Sequence, residues 1–294
     1  LVMAGKELFM IVGSLVLLIL LLMAGGVVYT ATTISKDFGS ILNAIPWGNS
    51  NLYKRHWEAE PIQLKAGELL FIENKVGQVK LSSAPGSELK AEALISGPTQ
   101  ELADSINPEI EREAGRVTIK MPEPKNLAGR ILVLDLEVAV PAGVTVNVDS
   151  GTGRVSAENM EQDLVLVGNT GTIETKNLRG KVEIRNNTGR IQVVDPGGDL
   201  SAETNTGSIE VSSTRPLSGN YQLTSSTGRI SLELPRESDL NITAESQTGN
   251  VDLRGLPENS VRDGMASRYN NKLGSGKGSA ELRVGTGTIS ITAR

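Results

Sequence analysis

The chain has 294 residues, a formal net charge of −5 and no cysteine, which excludes disulfides, thiolate metal sites and a cysteine nucleophile. Glycine is frequent (32) and aromatics make up 3%, so a core must be built from Val, Ile, Leu and Ala, which favours thin, repetitive β-architecture. No basic run occurs, and phosphate binding needs concentrated Lys and Arg, so nucleic acid is not an expected partner.

The first element in chain order is an uncharged stretch, Leu8 to Val28, reading LFMIVGSLVLLILLLMAGGVV. As a helix rising ~1.5 Å per residue it covers ~31 Å, the hydrocarbon thickness of a bilayer. Residues 1–30 are therefore expected to form a single transmembrane α-helix that meets membrane lipid through residues 8–28. The competing reading is a secretory signal peptide, but the run exceeds a usual signal core and no small-x-small cleavage site follows. Lys6 on one side and Lys36 on the other give only a slight positive-inside bias; the remainder of the chain is expected outside the cytoplasm. The opening Leu1-Val2-Met3 reads either as frame ahead of an initiating Met3 or as a processed terminus.

Residues 31–60 are expected to be an interfacial helix and a linker. Ile34, Phe38, Ile41, Leu42 and Ile45 recur at helical spacing, and Pro46 stops the pattern ahead of Trp47. Phe38, Ile41, Ile45 and Trp47 are the candidate membrane-interface residues; the alternative is a face that packs copies of the chain together. Gly48 to Glu60 reads as linker and holds the single histidine, His56.

From Pro61 onward β-patterns take over. Val76-Gly77-Gln78-Val79-Lys80-Leu81 alternates polar and apolar residues after a glycine, and Ile131 to Val140 is a β-branched strand ending at Pro141-Ala142-Gly143. Seven Thr-Gly pairs follow: Thr152-Gly153, Thr170-Gly171, Thr188-Gly189, Thr206-Gly207, Thr227-Gly228, Thr248-Gly249 and Thr286-Gly287. Their glycines lie 18, 18, 18, 21, 21 and 38 residues apart, and fixed spacing of that length marks a stacked repeat. The last gap holds two periods and a polar stretch from Pro257 to Ser279.

Two residues after each glycine stand Val155, Ile173, Ile191, Ile209, Ile230, Val251 and Ile289, all β-branched. With polar residues on either side, this is the alternation of a half-buried strand, and these residues are the expected core column. A second strand precedes each turn, as at Lys181 to Arg185 and Asp239 to Thr243. The expected fold is thus all-β: a β-solenoid over residues 61–294 with about two short strands per 18–21-residue coil, preceded by the membrane helix. Glycine suits the corner because a tight turn commonly needs positive φ. The Thr column reads as a hydrogen-bonded ladder fixing the corner, against a platform for ordered water or a flat ligand. Arg154, Arg190 and Arg229, alternating with neutral residues, read as a solvated face, against a stripe for an anionic ligand.

The strand ending in Val140-Pro141-Ala142-Gly143-Val144, followed by Ser150 to Val155 and the repeated Thr-Gly-x-Ile/Val units, resembles the bacterial putative-adhesin β-solenoid family, a domain of unknown function. The resemblance covers roughly residues 61–294 and is structural. It implies an envelope-associated scaffold or adhesin with an N-terminal membrane segment, and it transfers no catalytic residue.

The expected function is a non-enzymatic, membrane-anchored envelope scaffold or adhesin-like surface protein, with an envelope protein or glycan as partner and no metal or cofactor. The alternative is a filament subunit, its hydrophobic helices packed in the core and its solenoids outside. Homo-oligomers would form through that helix or through the open solenoid end at Thr288 to Arg294. A polysaccharide-active β-helix enzyme is the rival from another class and would need clustered carboxylates. Here the outward acids Glu174, Glu210 and Asp252 occur singly, without a consistent partner. The sequence also contains no G-x-S-x-G, H-E-x-x-H, phosphate loop or acidic calcium repeat.

Overall fold

The computed structural model describes residues 52–122, 132–257 and 260–294, which belong to one compact unit, Leu52–Arg294. The expected membrane helix at residues 8–28 and the interface residues Phe38, Ile41, Ile45 and Trp47 lie outside the described residues.

Alternating apolar and polar residues put almost the whole unit into strands. They are β1 (Tyr53–Glu58), β2 (Ile62–Gln63), β3 (Leu69–Ser83), β4 (Glu88–Gly97), β5 (Glu109–Glu113), β6 (Arg116–Lys120) and β7 (Val133–Val140). Then come β8 (Thr145–Glu158), β9 (Leu164–Leu178), β10 (Val182–Pro196), β11 (Leu200–Ser212), β12 (Asn220–Leu234) and β13 (Leu240–Arg254). The chain closes with β14 (Val261–Asp263), β15 (Ala266–Leu273) and β16 (Gly278–Ala293). One short helix, α1 (Gln100–Ser105), interrupts them; Thr99 caps its start by accepting from the Leu102 N–H.

Among the described residues, eight long strands form a parallel stack in the order β3-β8-β9-β10-β11-β12-β16-β13. The register is strict: Thr188-Gly189 pairs with Thr170-Gly171 on one side and Thr206-Gly207 on the other. Each strand bends at its glycine into a first and a second arm. Inward residues of both arms meet in one continuous core, as with Val182, Ile184, Ile191 and Val193 of β10, each 3% exposed or less. Burying one such aliphatic side chain contributes about 1.5–3 kcal/mol, and the stack repeats that gain at each level. Beside β3 the two arms part company: β6 and β5 extend the first, while β7, β4 and β1 extend the second.

The expected fold class requires correction on three points. First, the two short strands per coil are one bent strand of 13–16 residues among the coils carrying Thr-Gly pairs. At φ between +135° and +148° the corner glycines turn the chain without breaking the ladder, so pairing runs straight through each bend. Second, the chain as described is all-β apart from a six-residue helix: among the described residues no helix is long and apolar enough to cross a membrane. The single-pass, membrane-anchored placement is corrected to what that finding supports: no membrane-crossing helix among the described residues, with residues 8–28 lying outside them. Third, spatial order departs from chain order, because β16 lies between β12 and β13.

That exchange is sterically easy. Residues 235–239 link β12 to β13, and five extended residues reach ~16 Å, beyond the ~10 Å of two strand spacings. The open end expected at Thr288 to Arg294 is accordingly an interior strand, paired on both sides. The polar stretch Pro257 to Ser279 includes the β14–β15 hairpin, whose β15 lies antiparallel along the first arm of β13. Tyr53 to Glu58, expected as linker, is the edge strand β1. Arg55 ties it to the end of α1, its Nε donating to the Ala103 carbonyl at 2.9 Å and its guanidinium also reaching Ile106 O and Asn107 Oδ1.

Candidate functional site

The bends line up into a ridge along the stack. Thr152, Thr170, Thr188, Thr206, Thr227, Thr248 and Thr286 are all exposed along it, and register places neighbouring threonines one strand spacing apart, ~4.8 Å. In β3 the same position is held by Val76, paired with Thr152. Beside the threonines runs an amide ladder, Asn205 Nδ2 donating to Asn187 Oδ1 at 2.7 Å and Asn187 Nδ2 to Asn169 Oδ1 at 3.2 Å. Each rung fixes its neighbour, so the ridge offers hydroxyls and amides in set positions.

Just past the ridge, Arg154 reaches Glu174 at 3.5 Å and Arg190 pairs with Glu210, each bridging to the next strand. Glu174 and Glu210 thus have partners one coil away, a pairing hidden when each coil is read alone. Arg229 faces Thr288 of β16, and Glu210's counterpart on that strand is Ser290.

Beneath the ridge lie Val155, Ile173, Ile191, Ile209, Ile230, Val251 and Ile289, exposed by 1, 1, 0, 0, 0, 8 and 0%. Just ahead of the bend, at the end of the first arms, sits a buried polar file absent from the sequence reading: Asn74, Ser150, Asn186, Thr204, Ser225 and Ser246. Asn186 Nδ2 donates to the Gly171 carbonyl at 3.1 Å and Ser246 Oγ to that of Gly287 at 2.9 Å. Asn186 and Ser246 thus serve backbone groups that the bend aims inward.

A second corner was also missed. Asn159, Asn177 and Asp195 take φ of 55°, 53° and 52°, the left-handed region that Asn and Asp tolerate best. Asn177 Nδ2 donates to Asn159 Oδ1 at 3.0 Å. Their own 18-residue spacing was the signal.

On the outer face of the first arms, Lys181, Glu183, Ser201, Asn220, Gln222 and Glu281 line an open groove of about 450 Å³ running over β10, β11, β12 and β16. Small-molecule sites are concave and mostly apolar, whereas this groove is open and lined mainly by polar side chains. His56 lies elsewhere, on β1, its Nε2 3.7 Å from Glu92. Among the described residues no group of three or more His, Asp or Glu side chains is placed to hold a metal ion.

One carboxylate governs a loop. Asp239, ahead of β13, accepts from the Lys277 N–H at 3.0 Å and from Ser275 Oγ at 2.8 Å. The backbone N–H of Lys277, then the Ser275 hydroxyl, hold its pKa below the usual carboxylate value. This contact pins the turn that delivers β16 into the stack. With the folded pKa lowered, the contribution is complete above the ordinary Asp range and is lost as pH falls through the lower folded value. The protection factor of the Lys277 amide, its exchange rate relative to the intrinsic rate at each pH, should therefore fall on acidification through and below the ordinary Asp range. Asp239→Asn should be less protected at neutral pH, with protection much less sensitive to acid; equal acid sensitivity of protection in both proteins would refute the assignment.

A parallel, in-register stack with a glycine bend in every strand defines a solenoid-like all-β protein. The chain belongs to the Toastrack DUF4097 family, whose model matches residues 98–292. Among curated proteins none matches the chain. Solved structures similar to it include a putative cell adhesion protein from Clostridium sporogenes, 15% identical, covering 83% of this chain and 100% of that one at a TM-score of 0.36. A putative adhesin from Bacteroides fragilis is 12% identical, covering 82% and 97% at 0.34. A putative lipid binding protein from Parabacteroides distasonis is 10% identical, covering 84% and 98% at 0.26. At these TM-scores the likenesses carry no functional argument.

Proposed function

We infer that the protein is a non-enzymatic, adhesin-like scaffold that binds an extended glycan along its ridge and outer strand faces. The observation that carries this reading is the separation of duties within each strand. Inward positions are committed to one apolar column, while outward positions present rows of Thr, Asn and paired charges at a fixed repeat. A stacked architecture keeps its backbone while exterior side chains vary, which suits recognition of a long repetitive partner. The polar, open groove across four strands supports the same reading.

Purified full-length chain mixed with insoluble cell-wall glycan should co-sediment with it and release no reducing ends. Triple replacement of Thr170, Thr188 and Thr206 by alanine should weaken binding by about tenfold or more, the scale of an interface hot spot, with an unchanged melting temperature. Release of reducing ends would establish an enzyme instead. Absence of co-sedimentation would remove glycan as the partner.

A further inference from the structure

The stack ends unevenly. The first arm of β13 is covered by β15, from Leu240 paired with Leu273 to Ser246 paired with Ser267. Among the described residues its second arm, Asn250 to Arg254, pairs only with β16 and presents its other edge unpaired. Cover stops at the corner, where the Gly249 N–H donates to the Met265 carbonyl at 3.0 Å and Ser267 Oγ donates to the Gly249 carbonyl at 2.9 Å. Backbone groups alternate sides along a strand, so Val251 and Leu253 direct their N–H and C=O groups to the same open side as Gly249. The inner face loses cover as well: Val251 is 8% exposed where its register partner Ile289 is 0%. Met265, beside the corner, is 72% exposed.

Other edges are blunted. All five residues of β5 are exposed and three of them are glutamates, Glu109, Glu111 and Glu113, while β1 carries Lys54, Arg55 and His56; such charge discourages strand addition. The open arm of β13 differs because its charges complement themselves. Asp252 and Arg254 are both exposed and take part in no ion pair among the described residues. If two such arms run antiparallel about a two-fold axis at Leu253, the paired backbone groups are those of Leu253 with its own copy. Asp252 of each chain then faces Arg254 of the other, at a non-hydrogen-bonded position where side chains come closest.

We propose that this arm is a homodimer interface: a second copy of the chain adds its own Val251 to Gly255 edge, antiparallel and isologous about Leu253. The pairing satisfies the open backbone groups of Leu253, brings Val251 opposite Gly255 of the other copy, and joins two stacks end to end. It is independent of the glycan-binding reading, since glycan binding can fail while the chains still pair.

The absence of cysteine makes the test direct. Full-length Asp252→Cys and Arg254→Cys are prepared separately and oxidised mildly, alone and as an equimolar mixture. Each variant alone should stay monomeric on a non-reducing gel, because each cysteine faces a native side chain in its own homodimer. The mixture should yield a disulfide-linked band at twice the chain mass, and unfolding in urea before oxidation should abolish it. No band from the folded mixture, or an equal band from either variant alone, would overturn the proposed pairing. As a second readout, Arg254→Asp should lose the wild-type association measured by sedimentation, and adding Asp252→Arg to it should restore association. Loss without restoration would count against the interface.

Discussion

Gly207→Ala is expected to destabilise the stack by about 3–5 kcal/mol, among the largest effects of any single methyl added to a protein. A Cβ on Gly207 would lie 1.8 Å from the Gly189 carbonyl oxygen, and its φ of +145° is strained for any L side chain. Neither problem has local relief, because the offending atom is backbone and that backbone is itself held by the next strand. Gly189 carries the same clash against Gly171 at 1.9 Å, and Gly228 against Gly207 at 1.7 Å. The ridge is thus a file of carbonyls, each occupying the place where its neighbour's side chain would stand. Gly264→Ala is the open comparison: its φ of +60° lies in the left-handed region that L residues can enter, and nothing lies within 4 Å of the added carbon. It should cost only about 1 kcal/mol. Urea unfolding of both variants checks the contrast. Similar losses at the two positions would refute a special demand for glycine along the ridge.

The same crowding explains why the bend was legible in the sequence. A position that excludes every side chain and recurs with the coil writes a period that no local preference disguises. Even Val76-Gly77, without threonine, carries the polar–apolar alternation after its glycine and pairs with Thr152-Gly153. Partner order was not legible, because the pattern that makes a strand fit one neighbour makes it fit any of them. Thr286-Gly287 is compatible with a place beyond Thr248-Gly249 or before it, and only the connections decide. Antiparallel additions were hidden for a related reason: β4 and β7 show the same inward–outward alternation as the parallel strands, since that alternation reports burial and not direction. Tyr53 to Glu58 was hidden by its charges, which suit an edge strand as well as a linker. In the candidate site, the threonine row could be placed because it adjoins the glycines. The Arg154–Glu174 and Arg190–Glu210 pairs needed the register, because their members lie 20 residues apart.

The exchanged order of the last strands makes a second large effect predictable. In a stack following chain order, Thr248-Gly249 would occupy an interior coil and β16 the terminal one, so damage at Val251 would exceed damage at Ile289. The observed order reverses this. Ile289 is fully buried with Ile230 on one side and Val251 on the other, whereas Val251 has a neighbour on one side only. Ile289→Asp therefore places a carboxylate where no water or cation reaches it, and the expected loss exceeds about 4 kcal/mol. Because β13 and its β15 cover attach to the stack through β16, that loss should also free residues 240–273 to hydrogen exchange together. At the terminal coil, Val251→Asp leaves its carboxylate near the open edge, where a small rearrangement hydrates it. Its expected cost is about half as large, with exchange increasing mainly along Asn250 to Arg254. Comparing the two variants by denaturant unfolding and site-resolved exchange tests the strand order without any partner or ligand. A greater loss at Val251 than at Ile289 would return β16 to the end of the stack, and the free edge on β13 would disappear with it.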